Sequence, residues 1–388
     1  MLTKNILLRS FKFKKNKKVV TDWNKIKKEY ENNNNSVISS FSKKYKYHFD
    51  FKRIKKKYRT FNNVKIFGMG GSILGSEAIY SFLNHKIKKN FLFVNNLKSE
   101  KEKFLNKNKT LNLIISKSGN TLETVANLNS EKKNKNNVFI VENNKSYLRD
   151  LAKKIGDEII DHSNLIGGRY SVLSETGMLP AYLMGLNPDK FKQFDKLIKN
   201  KNFINQLILN ASAIISLQKK KKHNSIILNY DENSNDLFFW YQQLVAESLG
   251  KKSKGVLPII SSVPKDNHSL MQLYLDGFKN NFFTFFYVKD TLSKKINNKY
   301  LFNSFKYLKN KKLEDVLSAQ FIATQNVFNK KNIPFRTFIV NKKNEETLGE
   351  LFIFFMLETI LVGKAMGVNP YDQPAVELIK KETKKLLI

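Results

Sequence analysis

The chain has 388 residues, more than one ordinary domain holds, and an apolar fraction of 41% with 31 Phe and 15 Tyr is enough for two buried cores. Its formal charge of +36 rests on 69 basic residues, only six of them Arg; a dedicated nucleic-acid reader would use the bidentate fork of Arg, so the lysine excess reads as compositional bias and no nucleic-acid partner is expected. The absence of Cys excludes disulfides, thiolate catalysis and Cys-based zinc sites, and the five His (His48, His85, His162, His223, His268) show no HxxxH-type spacing for a metal.

Residues 1–60 are rich in Lys and Asn with sparse helical apolar spacing, which predicts an N-terminal helical arm on the surface. Their first twenty residues lack a long apolar run and a small-residue cleavage site, and the longest apolar run, Leu351 to Gly363, is broken by Glu358 and short of the roughly 20 residues of a membrane span. A cytoplasmic protein with no membrane partner is the expectation. Strands are predicted at Val64–Phe67, Phe91–Val94, Leu111–Ser116 and Val138–Val141, with a helix at Ser76–Leu83. This βαβα alternation is that of a doubly wound α/β domain, a mainly parallel sheet flanked by helices. It restarts after the Lys-rich stretch 218–223: strands at Ser225–Tyr230, Val256–Ser261, Phe282–Val288 and Pro334–Val340, and helices at Asp236–Leu249, Leu313–Asn329, Glu346–Met366 and Gln373–Leu387. A boundary near residue 200 then gives two α/β domains, 61–200 and 201–388.

Six segments carry candidate chemistry. Gly68-Met69-Gly70-Gly71-Ser72-Ile73-Leu74-Gly75 follows a strand and opens a helix, so backbone can approach an anion there. It is no dinucleotide fingerprint, because Ile73 stands at the third glycine position, and no P-loop, because Ser76-Glu77 follows Gly75; a tight turn without a ligand fits it equally. Ser116-Lys117-Ser118-Gly119-Asn120-Thr121-Leu122-Glu123-Thr124 sets four hydroxyls and a cation around a glycine at a helix start, more than the single hydroxyl a helix cap needs, and suits a phosphate. In Gly167-Gly168-Arg169-Tyr170-Ser171 an Arg stands where composition makes Lys the default, which suggests a fixed cation; a surface turn is the alternative.

Gln243 and Glu247 lie four apart on a predicted helix beside Leu244 and Val245, a carboxylate against an apolar wall or a solvated helix residue. In Asp266-Asn267-His268, Asp266 or Asn267 can cap a helix that holds His268. In Asn369-Pro370-Tyr371-Asp372-Gln373-Pro374-Ala375-Val376-Glu377-Leu378-Ile379-Lys380, Gln373, Glu377 and Lys380 share a face of the predicted last helix, where Glu377 and Lys380 also fit a plain surface pair.

Together GGRYSVLSETG, QQLVAES with its trailing GK, KDNHSLMQLYLDG and NPYDQPAVELIKK, in this order, resemble the glucose-6-phosphate isomerase family from about residue 64 to 381, with Ala375 where the family usually has Gly. The resemblance implies two sugar-isomerase-type α/β domains with a C-terminal helix packed back on the site, a homodimer with shared sites, a sugar-phosphate substrate and no cofactor. It implies that Glu247 shuttles a proton between C2 and C1 and that Arg169 stabilises the enediolate. Lys380 and His268 match the ring-opening residues, His268 coming from the partner subunit. Ser116, Lys117, Ser118 and Thr121 match the phosphate loop, and Ser72, Gly168, Gln243 and Gln373 line the substrate. Two other readings keep the fold: a dual glucose and mannose phosphate isomerase, and a non-catalytic sugar-phosphate sensor.

Overall fold

The computed structural model describes residues 1–97, 104, 109–131, 136–290 and 292–388. Among the described residues ten strands form two five-stranded sheets: β1 (Ile6–Arg9), β2 (Asn63–Phe67), β3 (Asn90–Val94), β4 (Thr110–Ile115), β5 (Asn137–Glu142), β6 (Glu158–His162), β7 (Asn224–Asn229), β8 (Leu257–Ser262), β9 (Asn281–Val288) and β10 (Phe335–Val340). The first sheet runs β3-β2-β4-β5-β6, parallel throughout. Its central strands are near-continuous apolar runs because both faces are covered, and β2 is buried at all five positions. The second sheet runs β1-β10-β9-β7-β8, with β1 antiparallel on the edge of an otherwise parallel set.

In the first sheet the chain winds outward from β2 to β3 on one side and from β4 to β5 and β6 on the other. The crevice beyond the carboxyl ends of β2 and β4 is therefore the switch point where such sheets bind ligands. The Gly68 loop leaves the end of β2 and the Ser116 loop the end of β4, so both expected anion loops flank it.

The helix Asn235–Leu249 joins the two halves. Leu237, Trp240, Tyr241, Leu244, Val245 and Ser248 make its buried stripe, and it packs on the helix Leu74–Phe82 as well as on β8. One continuous apolar cluster holds side chains of both sheets, with the helix Glu345–Met366, buried at every position from Thr347 to Gly363, running through it.

Two expectations need correction. The N-terminal segment is helical at Lys17–Glu31, Ser36–Ser39 and Phe51–Tyr58 but is not a surface arm: Ile6–Arg9 pairs with β10, and Ile6, Leu8, Phe11 and Trp23 are buried. Its four alternating residues cover the β10 edge, a liability if left open. The final helix is Val376–Leu386, so Gln373 and Pro374 precede it, and it does not pack back, since none of its residues is buried. Among the described residues no helix is long and apolar enough to cross a membrane.

Candidate active site

The two glycine turns meet back to back. A Cβ on Gly71 would lie 2.1 Å from the carbonyl carbon of Gly168, and Gly70, at φ +53°, sits under the Gln243 amide. Only glycine permits these approaches, which bring the β2 loop, the Arg169 turn and the Gln243 helix into contact. Ser72 ends the short 3₁₀ turn Gly70–Ser72 on this crevice.

Across the switch point, Ser116 Oγ and Thr121 Oγ1 are hydrogen-bonded at 2.9 Å, and Ser118 Oγ accepts from Asn120 N–H at 3.3 Å. Gly119 takes φ +63° to close the turn, and Thr121, at the N-cap position of the helix Leu122–Ser130, makes no side-chain capping bond, so the first N–H groups of that helix stay free beside the loop. Lys117 Nζ donates to the Asn164 carbonyl at 2.9 Å and pairs with Glu142 Oε1 at 3.2 Å.

Arg169 is 2% exposed and nearly saturated. Its Nε donates to Ser248 Oγ (2.8 Å), Nη1 to Gln373 Oε1 (2.8 Å), and Nη2 to the carbonyls of Pro370 (2.6 Å) and Asp372 (2.9 Å). Its Nη1 also lies 3.6 Å from Glu247 Oε1, while Glu247 Oε2 accepts from Gln243 Nε2 at 3.1 Å. Gln243 Oε1 is buried without a protein partner, an acceptor turned to the same corner. The apolar wall expected beside Glu247 is elsewhere, because Leu244 and Val245 point into the core; the carboxylate accepts from an amide instead and stands 3.6 Å from a cation. The 369–373 segment is fixed from outside by Lys251, which bonds the Asn369 carbonyl and pairs with Asp372 Oδ1 at 2.9 Å. That bond, with help from Arg169, holds the Asp372 carboxyl below the usual carboxylate range.

Arg169, Gly168, Gln243, Glu247 and Gln373 are thus brought together, with Ser72 and the Ser116–Thr121 loop at the same crevice. Lys380 is not among them. It stands on the exposed final helix and pairs with Glu377 at 2.6 Å, because that helix makes no packing contact that would carry it to the crevice. His268 is exposed on the turn Lys265–His268 after β8, a turn fixed by the Asp266 carboxylate, which accepts from Ser261 Oγ and Ser262 N–H. Ser248, Tyr170 and Lys251 lie within the same motifs, and only their long-range contacts bring them to the site. Among the described residues no group of three or more His, Asp or Glu is arranged to hold a metal ion.

The profile of the phosphoglucose isomerase family matches residues 8–387. The chain belongs to this family. It is similar to the glucose-6-phosphate isomerase of Methanocaldococcus jannaschii, with 33% identity over 82% of each chain, and to that of Mycoplasmopsis pulmonis, with 32% identity over 83% of this chain and 82% of the relative. Among solved structures, a hypothetical protein of Thermus thermophilus shares the fold at a TM-score of 0.78 and 24% identity, covering 87% of this chain and 86% of that one.

Proposed function

We propose that this chain interconverts glucose 6-phosphate and fructose 6-phosphate, passing one proton between C2 and C1 through an enediolate, as a cytoplasmic enzyme of sugar-phosphate metabolism. The observation that carries the reading is the pair at the switch point: a carboxylate, Glu247, 3.6 Å from a buried guanidinium, Arg169. Aldose–ketose isomerisation is redox-neutral, and needs a base for the carbon-bound proton and a fixed positive charge for the oxygen that becomes negative.

In this mechanism the Ser116, Ser118 and Thr121 hydroxyls, the N–H groups at the start of the helix Leu122–Ser130 and Lys117 hold the phosphate. Gln243, Ser72, Gly168 and Gln373 line the sugar. Glu247 removes the C2 proton, Arg169 stabilises the enediolate oxygen, and Glu247 returns the proton to C1. Opening the sugar ring requires a proton donor and acceptor at the ring oxygen and anomeric hydroxyl, the roles assigned to His268 and Lys380. We infer that a second copy completes each site. His268 is exposed on a rigid turn, and the final helix displays Leu378 and Ile379 to solvent; both fit burial against another subunit.

The test is a coupled assay on the purified chain. Fructose 6-phosphate should give glucose 6-phosphate, with mannose 6-phosphate turned over at least about a hundredfold more slowly, a discrimination within reach of contacts to one hydroxyl. Absence of turnover on fructose 6-phosphate would reject the reading, and comparable rates on both sugars would favour a dual isomerase.

A further inference from the structure

Beneath Arg169 the hydrogen bonds form a closed ring whose direction follows from the chemistry of its members. The guanidinium can only donate, so Ser248 Oγ accepts from Nε at 2.8 Å. The Pro370 carbonyl can only accept, so Tyr170 Oη donates to it at 3.1 Å. With the single Tyr170 proton used there, the 2.9 Å contact between Ser248 Oγ and Tyr170 Oη is Ser248 donating. Arg169 Nη2 closes the ring on the same Pro370 oxygen at 2.6 Å. Ser248 and Tyr170 are each 0% exposed, so no water competes for these protons.

Ser248 is the residue after Glu247, on the same helical turn, and Tyr170 is the residue after Arg169. The ring therefore ties the turn that carries the carboxylate to the guanidinium and to the 369–373 segment. Without it, Arg169 is drawn toward the nearest anion, Glu247, 3.6 Å away, and a closer pair would occupy both groups with each other. We propose that Ser248 and Tyr170 are positioning residues that hold the Arg169 guanidinium apart from Glu247 and turned toward the enediolate oxygens, without touching the substrate themselves. This inference rests on the reading of Arg169 as the enediolate's partner.

Tyr170→Phe removes one proton donor and keeps the ring that packs on Tyr371 and under the guanidinium. Ser248→Ala leaves the Arg169 Nε–H unpaired. Each variant should lower kcat about tenfold with KM for fructose 6-phosphate within about twofold, the pattern of an interaction realised in the transition state. The double variant should be no more than about threefold slower than the slower single one, because one ring can be broken only once. Binding of a hydroxamate mimic of the enediolate bearing the same terminal phosphate should weaken by the same factor as kcat, with binding of glucitol 6-phosphate unchanged. Thermal unfolding checks that the variants fold; if Ser248→Ala does not, Tyr170→Phe carries the test alone. Unchanged kcat, or equal weakening of both analogues, would overturn the inference. Arg169→Ala separates the two levels: near-normal turnover there removes Arg169 itself from its role, whereas a dead Arg169→Ala beside unimpaired Tyr170→Phe and Ser248→Ala removes only the ring.

Discussion

Single residues here are held by their surroundings in states they would not keep in water. Lys192 is 2% exposed; its Nζ donates to the Ser40 and Leu173 carbonyls and lies 4.7 and 5.0 Å from the Tyr45 and Tyr47 ring centroids. Leu173 ends the turn that carries Arg169, so this lysine braces the site from behind. Burial pushes its pKa down to about 7 from 10.5, against the opposing pull of Glu175 and Asp189. Between those values the unfolded chain binds a proton that the folded one does not. Stability from this group is therefore complete above about pH 10.5 and is lost as pH falls toward 7. Urea midpoints should rise from pH 7.5 to 9.5, and rise less in Lys192→Met; equal slopes would show that Lys192 is charged in the folded protein throughout.

At the scale of elements, the same polar economy fixes the helix Glu345–Met366 to the second sheet. Arg336 on β10 and Glu358 on the helix Glu345–Met366 form a fully buried pair, and Arg336 Nε also donates to Thr284 on β9 at 3.0 Å. Glu358→Gln leaves a buried guanidinium without its counter-charge and should cost about 3 kcal/mol in urea unfolding, while Arg336→Met with Glu358→Leu should recover most of that loss. A midpoint unchanged by Glu358→Gln would contradict this.

The elements that were legible in the sequence are those whose signal is local. The strands from β2 to β5 and from β7 to β10 are apolar runs bounded by turns, and each appears within a residue or two of its expected place. β1 was hidden because four alternating residues in a Lys- and Asn-rich stretch carry little periodicity, and β6, EIIDH, because acids flank its apolar pair. The site divides in the same way. Arg169 stands out as a rare Arg after two glycines and Glu247 by its spacing from Gln243, but the roles of Ser248 and Tyr170 depend on contacts spanning 79 and 78 residues. Lys380 was grouped with Gln373 by helical spacing, and the helix begins only at Val376, past Gln373.

For the molecule as a whole, the proposed site, completed by a second copy, predicts complementation between variants. Chains carrying His268→Ala and chains carrying Glu247→Gln should each be nearly inactive, yet after subunit exchange their mixture should regain about a quarter of wild-type activity, since half the dimers are mixed and each has one intact site. No recovery after demonstrated exchange would mean that each site is built from one chain. The central claim, that Glu247 carries the proton, is met most directly by isotope. Glucose 6-phosphate deuterated at C2, converted in ordinary water by the wild-type chain and analysed by NMR, should yield fructose 6-phosphate with part of the label at C1 and the rest lost to solvent, because one carboxyl both takes and returns the proton. Glu247→Gln should lower the rate at least about a hundredfold while glucitol 6-phosphate still binds. Complete transfer of the label without exchange, or near-normal turnover by Glu247→Gln, would contradict the account.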